Sequence, residues 1–170
     1  REVLFALPLR RKVNQTNMKN NKISGEPVSV LLVEDNISHA ELVILSFEEH
    51  RIANRIYHVS DGEEALDYLF RRGDYADPAK SPKPHVILLD LRLPKIDGLE
   101  VLKEIKTTTE LEKIPTVVFT TSSAEMDVAK AYEYHANSYL IKPVDFEKFN
   151  QLMDDIGFYW LAWNYHPWDD

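Results

Sequence analysis

Five short apolar runs, each followed by a helical repeat, constrain this 170-residue chain more than any other feature. The runs are "VSVLLV" (28–33), "IYHV" (56–59), "HVILL" (85–89), "TVVF" (116–119) and "SYLI" (138–141). They are β-branched and mostly unbroken, as strands buried on both faces should be. Between them the period changes to that of a helix. Ile37, Ala40, Ile44 and Phe47 share one face, with Ser38 and Glu41 spaced as a capping box. Ala65, Leu66, Leu69 and Phe70 follow Asp61, and Gly98, Val101, Leu102 and Ile105 follow Asp97. Val128, Ala131, Tyr132 and His135 form a fourth face; Phe149, Leu152, Met153, Ile156 and Trp160 form a fifth, after Pro143 and Asp145. Strands alternating with helices in this way predict an α/β fold, a doubly wound parallel sheet covered on both faces. The segment 71–84 holds three of the nine prolines and reads as a surface loop. No internal repeat and no second core is present, so residues 28–159 are expected to form one domain.

Composition narrows the function classes. Cysteine is absent, so neither a disulfide framework nor a thiolate metal site is possible. No apolar run approaches the ~18 residues of a membrane-spanning helix. The opening "REVLFALPLRRK" places its basic cluster after its apolar stretch, the reverse of a signal peptide. A cytoplasmic protein is the simplest expectation. Residues 1–27 carry a net +4, so the overall −8 leaves −12 on the rest. A body this acidic is a poor nucleic-acid surface. The basic leader, 1–27, is polar and lacks periodic apolar positions, and disorder is expected there. Met18 is a candidate natural start, with residues 1–17 preceding it.

In an open parallel sheet, ligands bind beyond the carboxyl ends of the strands. Glu34 and Asp35 follow the first run, Asp90 the third, Thr120, Thr121 and Ser122 the fourth, and Lys142 the fifth. Parallel strands bring all of them to one edge. Three crowded carboxylates repel and raise one another's pKa. A hard divalent cation resolves this, since Mg²⁺ prefers oxygen ligands. Three carboxylates, one ammonium and one divalent ion sum to zero charge, a site able to receive a phosphoryl group. Taken singly, each of these residues is an ordinary strand end or surface charge. Together they suggest a metal or phosphate site, with Asp90 a candidate nucleophile that would form an acyl phosphate.

At these residues the chain resembles the response regulator receiver domain of two-component signalling. "LLVEDN" resembles the acidic pair of that family, "DGEEAL" the start of its second helix, and "LLDLRLPKIDG" its phosphorylation motif. "VVFTTS" resembles its strand-four hydroxyl and "YLIKP" its aromatic-x-x-Lys-Pro. Asp90 precedes Thr120 by 30 residues and Lys142 by 52, spacings similar to those of the family. The resemblance covers 28–159 and implies a five-stranded, flavodoxin-like sheet in the order 2-1-3-4-5. It implies that Asp90 is the phosphoacceptor. Mg²⁺, or another divalent cation such as Mn²⁺, would be held by Asp35, Asp90 and the Arg92 backbone carbonyl, with Glu34 acting through water. Lys142 would pair with the phosphoryl group, its bond to Pro143 being usually cis in the family. Thr120 and Tyr139 would be the switch pair, Tyr139 being otherwise plain core. Such a protein is no enzyme beyond its own phosphorylation and dephosphorylation.

Two positions depart from the usual pattern. Arg92 lies two residues past the acceptor at the site mouth, and Thr121 stands where many members have Ala; both are expected to modulate access to the phosphoryl group. The chain stops soon after its fifth helix, so a stand-alone receiver acting through protein contacts is expected. "FYWLAWNYHPW" (158–168) holds all three Trp. The tail, 160–170, either packs on its own domain or anchors a partner; clustered aromatics favour an interface, in a homodimer. With the long loop before strand three, it resembles the cyanobacterial phytochrome-partnered (Rcp type) regulators, implying a histidine kinase partner that is a phytochrome. The alternatives are a phosphorelay intermediate, a pseudo-receiver binding module, and a haloacid-dehalogenase-type phosphatase. The last typically needs a second Asp where Arg92 stands.

Overall fold

The computed structural model describes residues 28–48 and 54–164. The basic leader and residues 165–170 of the tail lie outside them. The chain alternates strand and helix: β1 Val28–Val33, α1 Ile37–Glu48, β2 Asn54–Val59, α2 Gly62–Phe70, β3 Val86–Leu89, α3 Gly98–Thr107, β4 Thr116–Thr120, α4 Glu125–Glu133, β5 Ser138–Ile141 and α5 Phe146–Gly157. All four strand pairings are parallel, as the alternating pattern predicts, and the order is β2-β1-β3-β4-β5, the flavodoxin-like arrangement that the family resemblance implies.

Side-chain alternation divides the core in two. Leu31, Val33, Ile87, Leu89 and Val118 face α2, α3 and α4. Val30, Leu32, Leu88, Val117 and Phe119 face α1 and α5. β1, β3 and β4 are buried almost throughout, which explains their unbroken apolar runs, whereas β5 at the edge is half-exposed. Each fully buried Leu, Val or Phe contributes roughly 1.5–3 kcal/mol.

The helix faces differ from the periodic reading in two places. In α1 the buried residues are Ala40, Val43 and Phe47, while Ile37 is exposed. Its cap is Asn36, whose Oδ1 accepts from the His39 N–H at 3.1 Å, rather than the expected Ser38. In α4 only Ala131 is buried among the four expected residues; Tyr132 is exposed, and His135 lies past the helix end with φ 62°. A short, exposed helix presents a narrow apolar stripe, and one apolar residue too many rotates the inferred face. The Asp caps fare better: Asp61 accepts from the Glu64 N–H, Asp97 from that of Leu99 and Asp145 from that of Lys148.

The proline-bearing segment is a pinned loop containing a 3₁₀ turn, Gly73–Tyr75. Tyr68 donates to the Pro82 carbonyl at 2.9 Å, Ser81 to the Tyr75 carbonyl, and Tyr75 to Glu64. At the other end, α5 runs on into a π-helical segment, Phe158–Trp163. Trp160 is buried against the α1–α5 layer, edge-on to Tyr159 at 4.9 Å, while Phe158 and Tyr159 are exposed. The aromatic segment therefore seats one ring in its own core and turns two outward.

The loop between β3 and α3 sets the position of Asp90. It folds back so tightly that the Gly98 N–H donates to the Leu91 carbonyl at 2.9 Å. A Cβ at Gly98 would lie 2.2 Å from the Asp90 carbonyl oxygen and 2.5 Å from the Leu91 Cα. Glycine is required here by close approach of backbone to backbone. Gly98→Ala is expected to cost about 1–3 kcal/mol of stability, read from the urea unfolding midpoint. An unchanged midpoint would mean that the loop accommodates a methyl group.

Candidate functional site

The strand ends converge as the parallel topology requires. Two backbone bonds carry the ladder one residue past the strands: Glu34 N–H to the Val59 carbonyl at 3.1 Å, and Asp90 N–H to the Val33 carbonyl at 3.0 Å. These hold the two acidic residues rigidly side by side. Glu34, Asp90, Thr120 and Lys142 are all buried, and Asp35 is exposed beside them.

Lys142 organises the group. Its ammonium donates to Glu34 Oε2 and, at 2.6 Å, to Asp90 Oδ2. Its backbone N–H donates to the Thr120 carbonyl at 2.8 Å, and Nζ lies 5.5 Å from the Phe119 ring centre. Glu34 Oε1 accepts from the Asn36 N–H at 3.2 Å, and Asp90 Oδ1 from the Arg92 N–H at 3.1 Å. Among the described residues there is no cis peptide bond, so the Lys142–Pro143 bond is trans, against the expectation drawn from resemblance. The trans preference of an X–Pro bond is ordinary, and the lysine reaches both carboxylates without the cis form.

Burial alone would raise the pKa of Asp90. The Lys142 ammonium, with hydrogen bonds from Thr120 and the Arg92 N–H, outweighs it and holds the carboxyl below its ordinary value. Asp90 is thus an ionised carboxylate at neutral pH, the form a nucleophile needs. Burial pushes the Tyr139 phenol up, and it stays a donor, bonded to the Ser122 carbonyl at 2.9 Å.

Carboxylate oxygens of Glu34, Asp35 and Asp90 lie within 4.8 Å of one another. All three donors are hard oxygens, and with one ammonium between them two negative charges stay unbalanced. That donor set fits a divalent cation of the Mg²⁺ or Mn²⁺ type.

The mouth of the site holds contacts that the sequence did not announce. The Arg92 guanidinium, on a side chain 58% exposed, donates to Asp127 Oδ2 at 2.6 Å and to Ser122 Oγ at 3.3 Å. Lys95, in the left-handed region at φ 63°, pairs with Asp61 at 2.8 Å and Glu63 at 3.2 Å. His39 Nδ1 lies 3.5 Å from Glu34, and His58 Nε2 donates to the Glu34 carbonyl at 2.8 Å. Asp127 shares the first turn of α4 with Glu125, and no local pattern sets it apart from any other helix-start acid. Thr121 is exposed beside the buried Thr120.

A parallel sheet of this order, with an acidic pair, an aspartate, a threonine and a lysine gathered at one edge, defines a receiver-type α/β domain. The chain matches the response regulator receiver domain family over residues 30–154 and belongs to it. It is 46% identical over 142 residues to the probable methanogenesis regulatory protein FilR2 of Methanothrix harundinacea, covering 84% of this chain and 89% of that one. It is 41% identical over 138 residues to the response regulator Rcp1 of Synechocystis, covering 81% and 92%. The structure of the phosphorylated cyanobacterial phytochrome response regulator RcpA superposes with a TM-score of 0.79 at 37% identity, covering 83% of this chain and 99% of that one. The Mn²⁺-bound form of Rcp1 gives 0.79 at 40%, covering 83% and 99%. Response regulators are signalling proteins, and phosphorylation by a kinase is general to the family. No helix among the described residues is long and apolar enough to cross a membrane.

Lys142→Met is expected to destabilise the protein by about 3–5 kcal/mol at neutral pH, because it leaves buried carboxylates without their cation. The pH dependence carries the sign. Asp90 has a depressed folded-state pKa, so its pairing stabilises above the unfolded value, near 4, and is lost as pH falls through the folded one. The gap between wild type and variant in denaturant midpoint should therefore narrow on acidification, starting above the ordinary carboxylate range, where the unpaired buried carboxylate of the variant takes up a proton, and continuing as pH falls through the depressed folded value of wild type. A gap independent of pH would contradict the pairing.

Proposed function

We propose that this protein is a cytoplasmic response regulator that accepts one phosphoryl group from a histidine kinase onto Asp90 in a Mg²⁺-dependent reaction. The single observation that carries this reading is the Lys142 ammonium bonded at once to the buried Glu34 and Asp90, with Asp35 alongside. An ordinary ion pair requires one carboxylate; three beside one lysine leave a place for a further cation and an incoming anion.

Asp90 Oδ attacks phosphorus in line. The bond from phosphorus to the donor imidazole nitrogen breaks, its electron pair stays on that nitrogen, and an aspartyl phosphate results. Lys142 follows the developing charge on the phosphoryl oxygens, and the Thr120 hydroxyl supplies a further hydrogen bond. Asp35, Asp90 and the Arg92 carbonyl would hold Mg²⁺ or Mn²⁺, with Glu34 acting through water. When bound, that ion neutralises charge on the phosphoryl oxygens. Tyr139 turns inward as Thr120 engages the phosphoryl group, and the β4–α4 surface reads out the change. Thr121, exposed beside Thr120, limits the approach of hydrolysing water. The protein is no enzyme beyond its own phosphorylation and dephosphorylation.

A homodimer is the expected assembly, supported by the exposed rings of Phe158 and Tyr159 beside the buried Trp160. Its −8 charge argues against nucleic acid as a partner. The likeness to Rcp1 and RcpA supports a phytochrome as the kinase. The higher identity to FilR2, a probable methanogenesis regulatory protein, favours a second reading, a histidine kinase of a methanogenesis regulatory system.

Incubation with a small phosphodonor and Mg²⁺ should add the mass of one phosphoryl group to wild type and none to Asp90→Asn. An equal gain in the variant, or no gain in wild type, would overturn the assignment. Transfer from a purified phytochrome kinase, against transfer from a sensor kinase lacking a chromophore domain, separates the two readings of the partner.

A further inference from the structure

The Arg92 side chain ties the loop after β3 to the loop after β4 and to the first turn of α4. It leaves the loop after β3, two residues from Asp90, and ends on Asp127 in the first turn of α4 and on Ser122 in the loop after β4. Ser122 Oγ itself donates to Asp127 Oδ2 at 2.5 Å, closing a three-membered ring of contacts. The same serine touches the proposed switch from both sides: its N–H donates to Thr120 Oγ1 at 3.3 Å, and its carbonyl accepts from Tyr139 at 2.9 Å. The clasp starts two residues from Asp90 on one side and is in direct contact with Thr120 and Tyr139 on the other.

The chemistry of the clasp makes it exchangeable. The pair is open to solvent on the arginine side, 58% exposed against 14% for Asp127, and a solvent-screened ion pair contributes little net stability. Of the other cations at this edge, Lys142 already lies on Asp90 and supplies a single ammonium to the phosphoryl oxygens, while Lys95 is held by Asp61 and Glu63. A phosphoryl group brings about two negative charges and three strong acceptors, and a planar guanidinium pairs with it better than with a single carboxylate oxygen. An anion built on Asp90 therefore competes with Asp127 for Arg92.

We propose that Arg92 is a relay: in the unphosphorylated protein it clasps Asp127 and Ser122, and a phosphoryl group on Asp90 draws it away, releasing the first turn of α4. Asp127 and Ser122 are then positioning residues for Arg92. The inference rests on the assignment of Asp90 as phosphoacceptor and adds a second route from that residue to α4, beside Thr120 and Tyr139. It also gives Arg92 a role other than steric shielding of the acyl phosphate.

The test is a double-variant cycle, read by titrating the phosphoryl mimic beryllofluoride at fixed Mg²⁺ into wild type, Arg92→Gln, Asp127→Asn and the double variant. Asp127→Asn removes the competitor and should tighten binding about two- to five-fold, the equivalent of one exposed ion pair. Arg92→Gln should weaken binding by a similar factor, and in its background Asp127→Asn should have no effect. Hydrogen exchange supplies a second readout. The Asp127 and Val128 amides, bonded to the Ala124 carbonyl at 3.0 and 3.1 Å, should exchange faster on binding in wild type and be unchanged in Arg92→Gln. An Asp127→Asn gain that persists without Arg92 is a general charge effect and overturns the relay, as does no gain at all. Failure of wild type to bind beryllofluoride, or equal binding by Asp90→Asn, rejects the phosphoacceptor itself instead.

Discussion

The contact on which the rest depends is the Lys142 ammonium between Glu34 and Asp90. Three different strands supply its members, so it forms only when the sheet is complete and in register. Buried ion pairs add little net stability, because desolvation offsets attraction. The value of this one is geometric. It holds the Asp90 carboxylate ionised inside apolar surroundings and fixes it beside Glu34 and Asp35. Leu88, Leu89 and Val33 around it are almost fully buried, and this packing keeps the strand ends from yielding to carboxylate repulsion.

Around this fixed centre the loops are tied by weaker and more exposed contacts. Lys95 joins the β3–α3 loop to the start of α2, and Arg92 joins it to the start of α4. The contrast suits a switch: a rigid centre where chemistry occurs, and surface pairs of small net energy where a change of one charge can redistribute partners. On the far side of the sheet, α1 and α5 pack on a continuous apolar layer extended by Trp160. Phe158 and Tyr159, next to it, are exposed.

Much of this was legible in the residues. The unbroken runs of β1, β3 and β4 announced strands buried on both faces, and parallel connection forces their carboxyl ends to one edge. Glu34, Asp35, Asp90, Thr120 and Lys142 could thus be grouped from strand ends alone. The α1 and α4 faces were less legible. Ile37 and Tyr132 obey helical spacing yet are exposed, since periodicity reports a face and not what covers it. The Arg92–Asp127 contact was illegible for a different reason. Its partners are 35 residues apart and each is an ordinary charge in its own segment; only the placement of α4 beside the β3 loop makes them a pair. The geometry of the Lys142–Pro143 bond is likewise set by tertiary context, which the dipeptide alone does not reveal.

Under the proposed function Asp90, and no hydroxyl or imidazole near it, carries the phosphoryl group. Borohydride reduction of the phosphorylated protein followed by peptide mass spectrometry tests it most directly, because an aspartyl phosphate is reduced to homoserine at the residue that held it. Homoserine is expected at position 90, in the segment 85–98, and nowhere else. Phosphate surviving reduction on Thr120, Ser122 or His39, or homoserine at position 35, would contradict it.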